Sequence, residues 1–134
     1  MLYSHSTQLR VRYGETDQMG YVYYGNYALY YETGRVEMLR SLGMSYRSME
    51  EQGIMLPVLS LNCKYIRPAK YDDLLTVTTQ LIELPNTRIC FNYEIHNEEQ
   101  TLVNKGDTTL VFVNKATGKP MLAPTWFLDK LTTF

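Results

Sequence analysis

The stretch Tyr13-Gly14-Glu15-Thr16-Asp17-Gln18-Met19-Gly20-Tyr21-Val22-Tyr23-Tyr24-Gly25-Asn26-Tyr27 lies between two different hydrophobic periods. Before it, Gln8 to Tyr13 alternates, with Leu9, Val11 and Tyr13 on one face, and predicts a strand. After it, Tyr27, Tyr30, Tyr31, Met38, Leu39 and Leu42 recur at steps of three, four and seven. That spacing predicts a helix from Tyr24 or Asn26 to Leu42. Asn26 can cap its start and Gly43 can stop it. Gly14 to Val22 fits neither period and holds two glycines, so it reads as a loop that feeds a helix.

The remainder is strand-like after one short helix. Ser45 to Gln52 predicts that helix, with Ser45 as its cap and Gly53 past its end. Leu59, Leu61, Cys63 and Tyr65 then alternate until Pro68. Leu75, Val77, Thr79 and Leu81 follow, and Leu84-Pro85-Asn86-Thr87 makes a turn. Ile89, Phe91, Tyr93 and Ile95 give the cleanest alternation, and Leu102 to Val113 gives a long strand. Thr125 to Leu131 predicts a last short helix. One strand, one long helix and four strands make an α+β chain with a long antiparallel sheet. A helix of about five turns can lie across the sheet's buried face. No linker, repeat or low-complexity stretch divides residues 1–134, so a single domain is expected.

Composition narrows the function classes. A chain of 134 residues that is 45% hydrophobic can build a core and is not disordered. A net charge of −1 argues against a nucleic-acid binder held by a basic surface. No apolar run approaches the roughly 20 residues of a membrane span. Met1-Leu2-Tyr3-Ser4-His5 lacks the basic and apolar regions of a secretory signal, so a cytoplasmic location is expected. Cys63 and Cys90 have no metal-ligand spacing and read as reduced thiols. Seven of the 12 tyrosines fall between Tyr13 and Tyr31. A cluster of rings with polar tips suits a pocket or subunit interface wet at one edge, whereas any single tyrosine is expected to pack in the core with its hydroxyl reaching solvent.

Asp17 places a carboxylate a few residues before a helix start. The first helical turn leaves backbone N–H groups without intrahelical partners, and the helix dipole favours negative charge there. A carbonyl held at that end would be polarised, and one donor to its oxyanion is worth on the order of 3 kcal/mol in a transition state. Asp17 could then activate water or attack directly. The same position also suits an Asp that merely caps or accepts loop hydrogen bonds.

The residues Arg10-Val11, Thr16-Asp17, Gly20, Val22 and Tyr24 resemble the active-site signature of the 4-hydroxybenzoyl-CoA thioesterase family. The likeness continues through Tyr27, Glu32 and Arg35 and resumes at Leu56-Pro57-Val58 and Tyr71-Asp72-Asp73, so it covers nearly the whole chain. The resemblance implies the hot-dog fold, a sheet wrapped around one long central helix. It implies hydrolysis of an acyl- or aroyl-CoA thioester, and a homodimer or dimer of dimers with sites at the subunit interface. By resemblance Asp17 is the catalytic carboxylate and the N–H of Tyr24 or Gly25 the oxyanion donor. Gly20, Val22 and Tyr27 are substrate-binding candidates. No metal and no separate cofactor is implied, CoA entering only as part of the substrate. The family's branch associated with cell-envelope Tol-Pal clusters carries His where this chain has Tyr24, so roles of that His do not carry over.

Other residues compete. Glu32 is a rival carboxylate, but it sits roughly 12 Å beyond Tyr24 at 1.5 Å per residue and is expected to pair with Arg35. His5 and His96 fall outside the loop and helix, which disfavours a hot-dog dehydratase or hydratase. A Cys–His nucleophile from Cys63 or Cys90 lacks an activating context. Lys64, Arg67, Lys70 and Arg88 either meet CoA phosphates or form a solvated face. A non-catalytic acyl-CoA binding protein is the remaining alternative.

Overall fold

The computed structural model describes residues 2–132. Its strands are β1 (Tyr3–Arg10), β2 (Ile54–Met55), β3 (Val58–Tyr65), β4 (Leu74–Leu81), β5 (Arg88–His96), β6 (Leu102–Val111) and β7 (Val113–Asn114). Its helices are α1 (Tyr27–Ser41), α2 (Tyr46–Glu51) and α3 (Thr125–Thr132), and single 3-10 turns occupy Tyr13–Glu15 and Tyr24–Asn26. Five strands form one antiparallel sheet in the order β1-β4-β5-β6-β3. β2 and β7 pair separately. Together with α1 this is the α+β hot-dog architecture. No helix among the described residues is long and apolar enough to cross a membrane.

The alternating strands bury one face. Leu75, Val77, Thr79 and Leu81 of β4 and Ile89, Phe91, Tyr93 and Ile95 of β5 are buried, with Tyr27, Tyr30, Tyr31, Met38 and Leu39 of α1. Each large apolar side chain so buried contributes roughly 1.5–3 kcal/mol. Gly34 sets the distance between helix and sheet. A Cβ there would stand 2.5 Å from the Thr79 hydroxyl and 2.8 Å from Val77 Cγ1. Tyr31 stacks flat on Tyr93, with centroids 4.3 Å apart. Phe127 of α3 meets Phe112 edge-on and closes one end of the core.

α1 lies chiefly over β1, β4 and β5, not across the whole sheet. β3 is an edge strand by the sheet order, and its Cys63–Tyr65 end meets Tyr31 of α1 and the turn before that helix. Val58, Leu59, Leu61 and Tyr65 are 42–54% exposed, a run of apolar surface on an edge that pairs with β6 alone. The opposite edge, β1, turns out Ser4, Ser6, Gln8 and Arg10.

Several expectations need correction. β1 begins and ends earlier than Gln8 to Tyr13, because its register with β4 runs from Tyr3↔Leu81 to Arg10↔Leu74. Tyr13 is 78% exposed in the 3-10 turn that follows. Glu32 does not pair with Arg35: among the described residues no ion pair joins them. The Arg35 guanidinium turns into the core and donates from Nε to the Tyr46 hydroxyl (3.0 Å) and from Nη1 to the Tyr93 hydroxyl (3.4 Å), while Glu32 stays exposed. β6 stops at Val111, with β7 as a separate piece.

Candidate active site

The loop after β1 is folded as a small hairpin around Asp17. Thr16 bridges to Val22. The Asp17 N–H donates to the Tyr21 carbonyl (2.7 Å) and the Gly20 N–H to the Asp17 carbonyl (3.0 Å). Gly20 closes this turn at φ +81°, a conformation costly for a side chain-bearing residue. Asp17 Oδ1 accepts from the N–H groups of Met19 (2.9 Å) and Tyr21 (3.1 Å). Oδ2 has no protein donor among the described residues. Half of the carboxylate is thus anchored by backbone and half is available.

The hairpin is tied to the connection between β3 and β4. The Val22 N–H donates to the Ala69 carbonyl (2.8 Å), and Tyr21 bridges to Lys70. Asn26 does not cap α1 with its side chain. Its amide donates instead to the Glu15 carbonyl (2.8 Å), which ties the helix start to the loop. The 3-10 turn before α1 has no side-chain cap at Tyr23 either, and the N–H groups of Tyr24 and Gly25 have no protein acceptor among the described residues. The helix start keeps the unsatisfied donors and positive end of a helix N-terminus.

Glu15 braces the same loop. Its Oε1 accepts from the Arg12 N–H (2.9 Å) and the Tyr30 hydroxyl (3.0 Å), and Arg12 pairs with Oε2 at 3.2 Å. Partial burial, the largest single influence, pushes its carboxyl up. The Arg12 N–H, the Tyr30 hydroxyl and the Arg12 charge outweigh that and hold it below the ordinary value of 4.5. A depressed carboxylate stabilises the fold above the unfolded value, and that contribution is lost as pH falls through the folded one. Glu15→Gln should therefore melt lower than wild type at pH 6, with the gap closing as the pH drops below about 4.5. Thermal melts of both proteins across that range check it.

A cleft of about 430 Å³ opens beside the carboxylate, walled by Asp17, Val22, Tyr24, Tyr27, Tyr65 and Arg67 among others. Tyr24 meets Tyr65 edge-on at 6.4 Å, and Tyr27 lies 5.6 Å from Tyr65. Burial first, then the neighbouring Cys63, pushes the Tyr27 phenol up to about 12, so it stays neutral. A larger hollow of about 590 Å³ lies elsewhere, among Asn62, Lys64, Asn92, Glu94, Lys105 and Asp107. It joins no carboxylate to a helix start, so the smaller cleft is the candidate site.

Of the sequence-selected residues, Asp17, Val22, Tyr24, Tyr27 and Arg67 line this cleft. Gly20 shapes the turn behind Asp17, and Gly25 lies in the 3-10 turn that leads into α1. Lys64 lines the outer hollow and Arg88 a third one beside Glu83 and Pro85. Within one chain the basic residues are therefore not gathered at the cleft. Tyr65, with Met19, Tyr21, Ile66 and Pro68, lines the cleft without being singled out by the sequence. Its signal was only its place in an alternating strand, and the topology brings the end of β3 to α1.

Comparison with known proteins gives one answer. The family described as the Thioesterase-like superfamily matches residues 11–131. YneP of Bacillus subtilis (strain 168), named for acyl-CoA thioesterase activity, is 33% identical over 127 residues, covering 95% of this chain and 92% of that one. The acyl-CoA thioester hydrolase YbgC of Escherichia coli O6:H1 is 33% identical over 116 residues, 87% of each. The crystal structure of a DHNA-CoA thioesterase from Staphylococcus aureus matches with a TM-score of 0.88 at 37% identity, covering 94% of this chain and 85% of that one. A sheet around one helix, an open helix start beside an anchored carboxylate and a family match over nearly the whole chain agree, and the chain belongs to the Thioesterase-like superfamily as a thioester hydrolase of the hot-dog fold.

Proposed function

We propose that the protein hydrolyses acyl-CoA thioesters to the free acid and CoA, with Asp17 as the catalytic carboxylate. The observation that carries this is the pairing of a half-anchored carboxylate with an uncapped helix start across one aromatic cleft. The acyl group lies in the cleft with its carbonyl oxygen toward the N–H of Tyr24 or Gly25. Asp17 then deprotonates a water that attacks the carbonyl carbon, or attacks it directly to give an anhydride that water opens. In either route the tetrahedral oxyanion collapses and CoA leaves as the thiolate. The relatives named for acyl-CoA hydrolysis support the substrate class. Free-thiol release from a panel of alkyl- and aroyl-CoAs, with the acid identified by mass, tests it. A hydratase would change the acyl chain and leave the thioester intact.

The working unit is at least a dimer. An uncovered apolar edge strand invites pairing with another strand, and a two-fold arrangement is the commonest. Two β3 edges side by side would cover Val58, Leu59 and Leu61, and the partner's basic residues could then reach the CoA phosphates. Sedimentation at micromolar concentration should show a species at least twice 15.6 kDa. A purely monomeric protein would remove the interfacial site.

A further inference from the structure

Tyr65 hangs over the start of α1 from the far end of β3. Its hydroxyl donates to the backbone carbonyl of Tyr24 at 3.3 Å. Its ring meets those of Tyr24 and Tyr27 at 6.4 and 5.6 Å, at 85° and 67°. The Tyr24 carbonyl belongs to the same peptide unit as the Gly25 N–H. That unit is planar and trans, so its C=O and N–H point in opposite directions and turn together. A hydrogen bond that fixes the carbonyl therefore fixes the direction of the N–H. The clamp matters here because Tyr24–Asn26 is a 3-10 turn, whose own hydrogen bonds are poorer in geometry than those of an α-helix. Gly25 adds a second reason, since it is the residue type least restrained by its own side chain. The Gly25 N–H has no protein acceptor among the described residues, so its direction follows from how the turn and the Tyr65 hydroxyl hold the Tyr24 carbonyl.

We infer that Tyr65 is a positioning residue, its hydroxyl holding the Tyr24–Gly25 peptide so that the Gly25 N–H is aimed at the thioester oxyanion. The inference rests on the proposed thioesterase reaction and specifies which donor that reaction uses. An oriented donor counts most when charge has developed on the oxygen, so the effect belongs to the transition state and not to substrate binding.

Tyr65→Phe keeps the ring and removes the donor. Its kcat toward a good acyl-CoA should fall roughly tenfold, a fraction of the loss from deleting an oxyanion donor outright. KM should stay within twofold. Inhibition by an S-alkyl-CoA thioether, which has no carbonyl, should be unchanged, and so should the melting temperature. Tyr65→Leu should lose as much kcat and also raise KM, because the cleft wall goes with it. An unchanged kcat in Tyr65→Phe would overturn the inference, as would equal weakening of thioether and thioester binding. A wild type that releases no thiol from any acyl-CoA would instead defeat the proposed reaction itself.

Discussion

Asp17→Asn should lower kcat for acyl-CoA hydrolysis by at least ~10²-fold, the usual contribution of a positioned acid or base. Asparagine keeps the size of the side chain and one carbonyl oxygen. That oxygen can still accept from the Met19 and Tyr21 N–H groups that Oδ1 holds now. The hairpin should therefore keep its shape, and the melting temperature should move little. What disappears is the charge and the basic lone pair on the oxygen that no protein donor occupies. KM should change little, because the cleft walls and the CoA contacts are untouched. Steady-state thiol release and a thermal melt on the same preparation check both halves of the expectation.

Gly106→Ala should be the most damaging small substitution for stability. Gly106 sits on β6 between Cys63 of β3 and Tyr93 of β5. A Cβ there would overlap the backbone carbonyl oxygen of Asn62 and stand 2.5 Å from the Tyr31 hydroxyl. Neither neighbour can step aside. The Asn62 carbonyl belongs to the β3–β6 ladder, and Tyr31 is fully buried, stacked on Tyr93 and bonded to Asn104 and Cys63. Overpacking of this kind costs about 3 kcal/mol, the upper part of its usual range. In a domain of this size that lowers the melting temperature by roughly 10 °C. Because the strain falls on β3, the assembly should weaken with the fold, and dilution should lower the melting temperature further. Calorimetry at two protein concentrations reads both effects.

The legibility of the chain follows its burial. β4 and β5 were plain because every second residue is apolar and enters the core. β1 was misplaced because the inner positions of its first half, His5 and Thr7, are polar and break the period. β3 is the instructive case. Leu59, Leu61 and Tyr65 alternate as if buried, yet one chain leaves them exposed. A hydrophobic period records what is covered in the working molecule, and here the cover is expected from a second copy. The two-residue strands β2 and β7 are too short to carry a period at all.

The site divides the same way. The break between a strand period and a helix period marked the loop, and Asp17 stood out as its carboxylate. Asn26 was misjudged as a cap because composition cannot tell whether its amide serves the helix or the neighbouring Glu15 carbonyl. Arg35 was paired with Glu32 by helical spacing, but two buried tyrosine hydroxyls on other elements compete for its guanidinium. Tyr65 was invisible because its contact with Tyr24 spans 41 residues and depends on sheet order. Local chemistry could be read along the chain, whereas partners supplied by tertiary structure could not.

The most direct test sets the two candidate carboxylates against each other in one assay. Thiol release at saturating acyl-CoA would be measured for wild type, Asp17→Asn and Glu32→Gln. Glu32 is exposed on α1 and unpaired with Arg35, so its substitution should leave kcat within a few-fold of wild type, while Asp17→Asn falls at least ~10²-fold. Near-normal turnover in Asp17→Asn together with its loss in Glu32→Gln would move the catalytic carboxylate onto the helix and contradict this account.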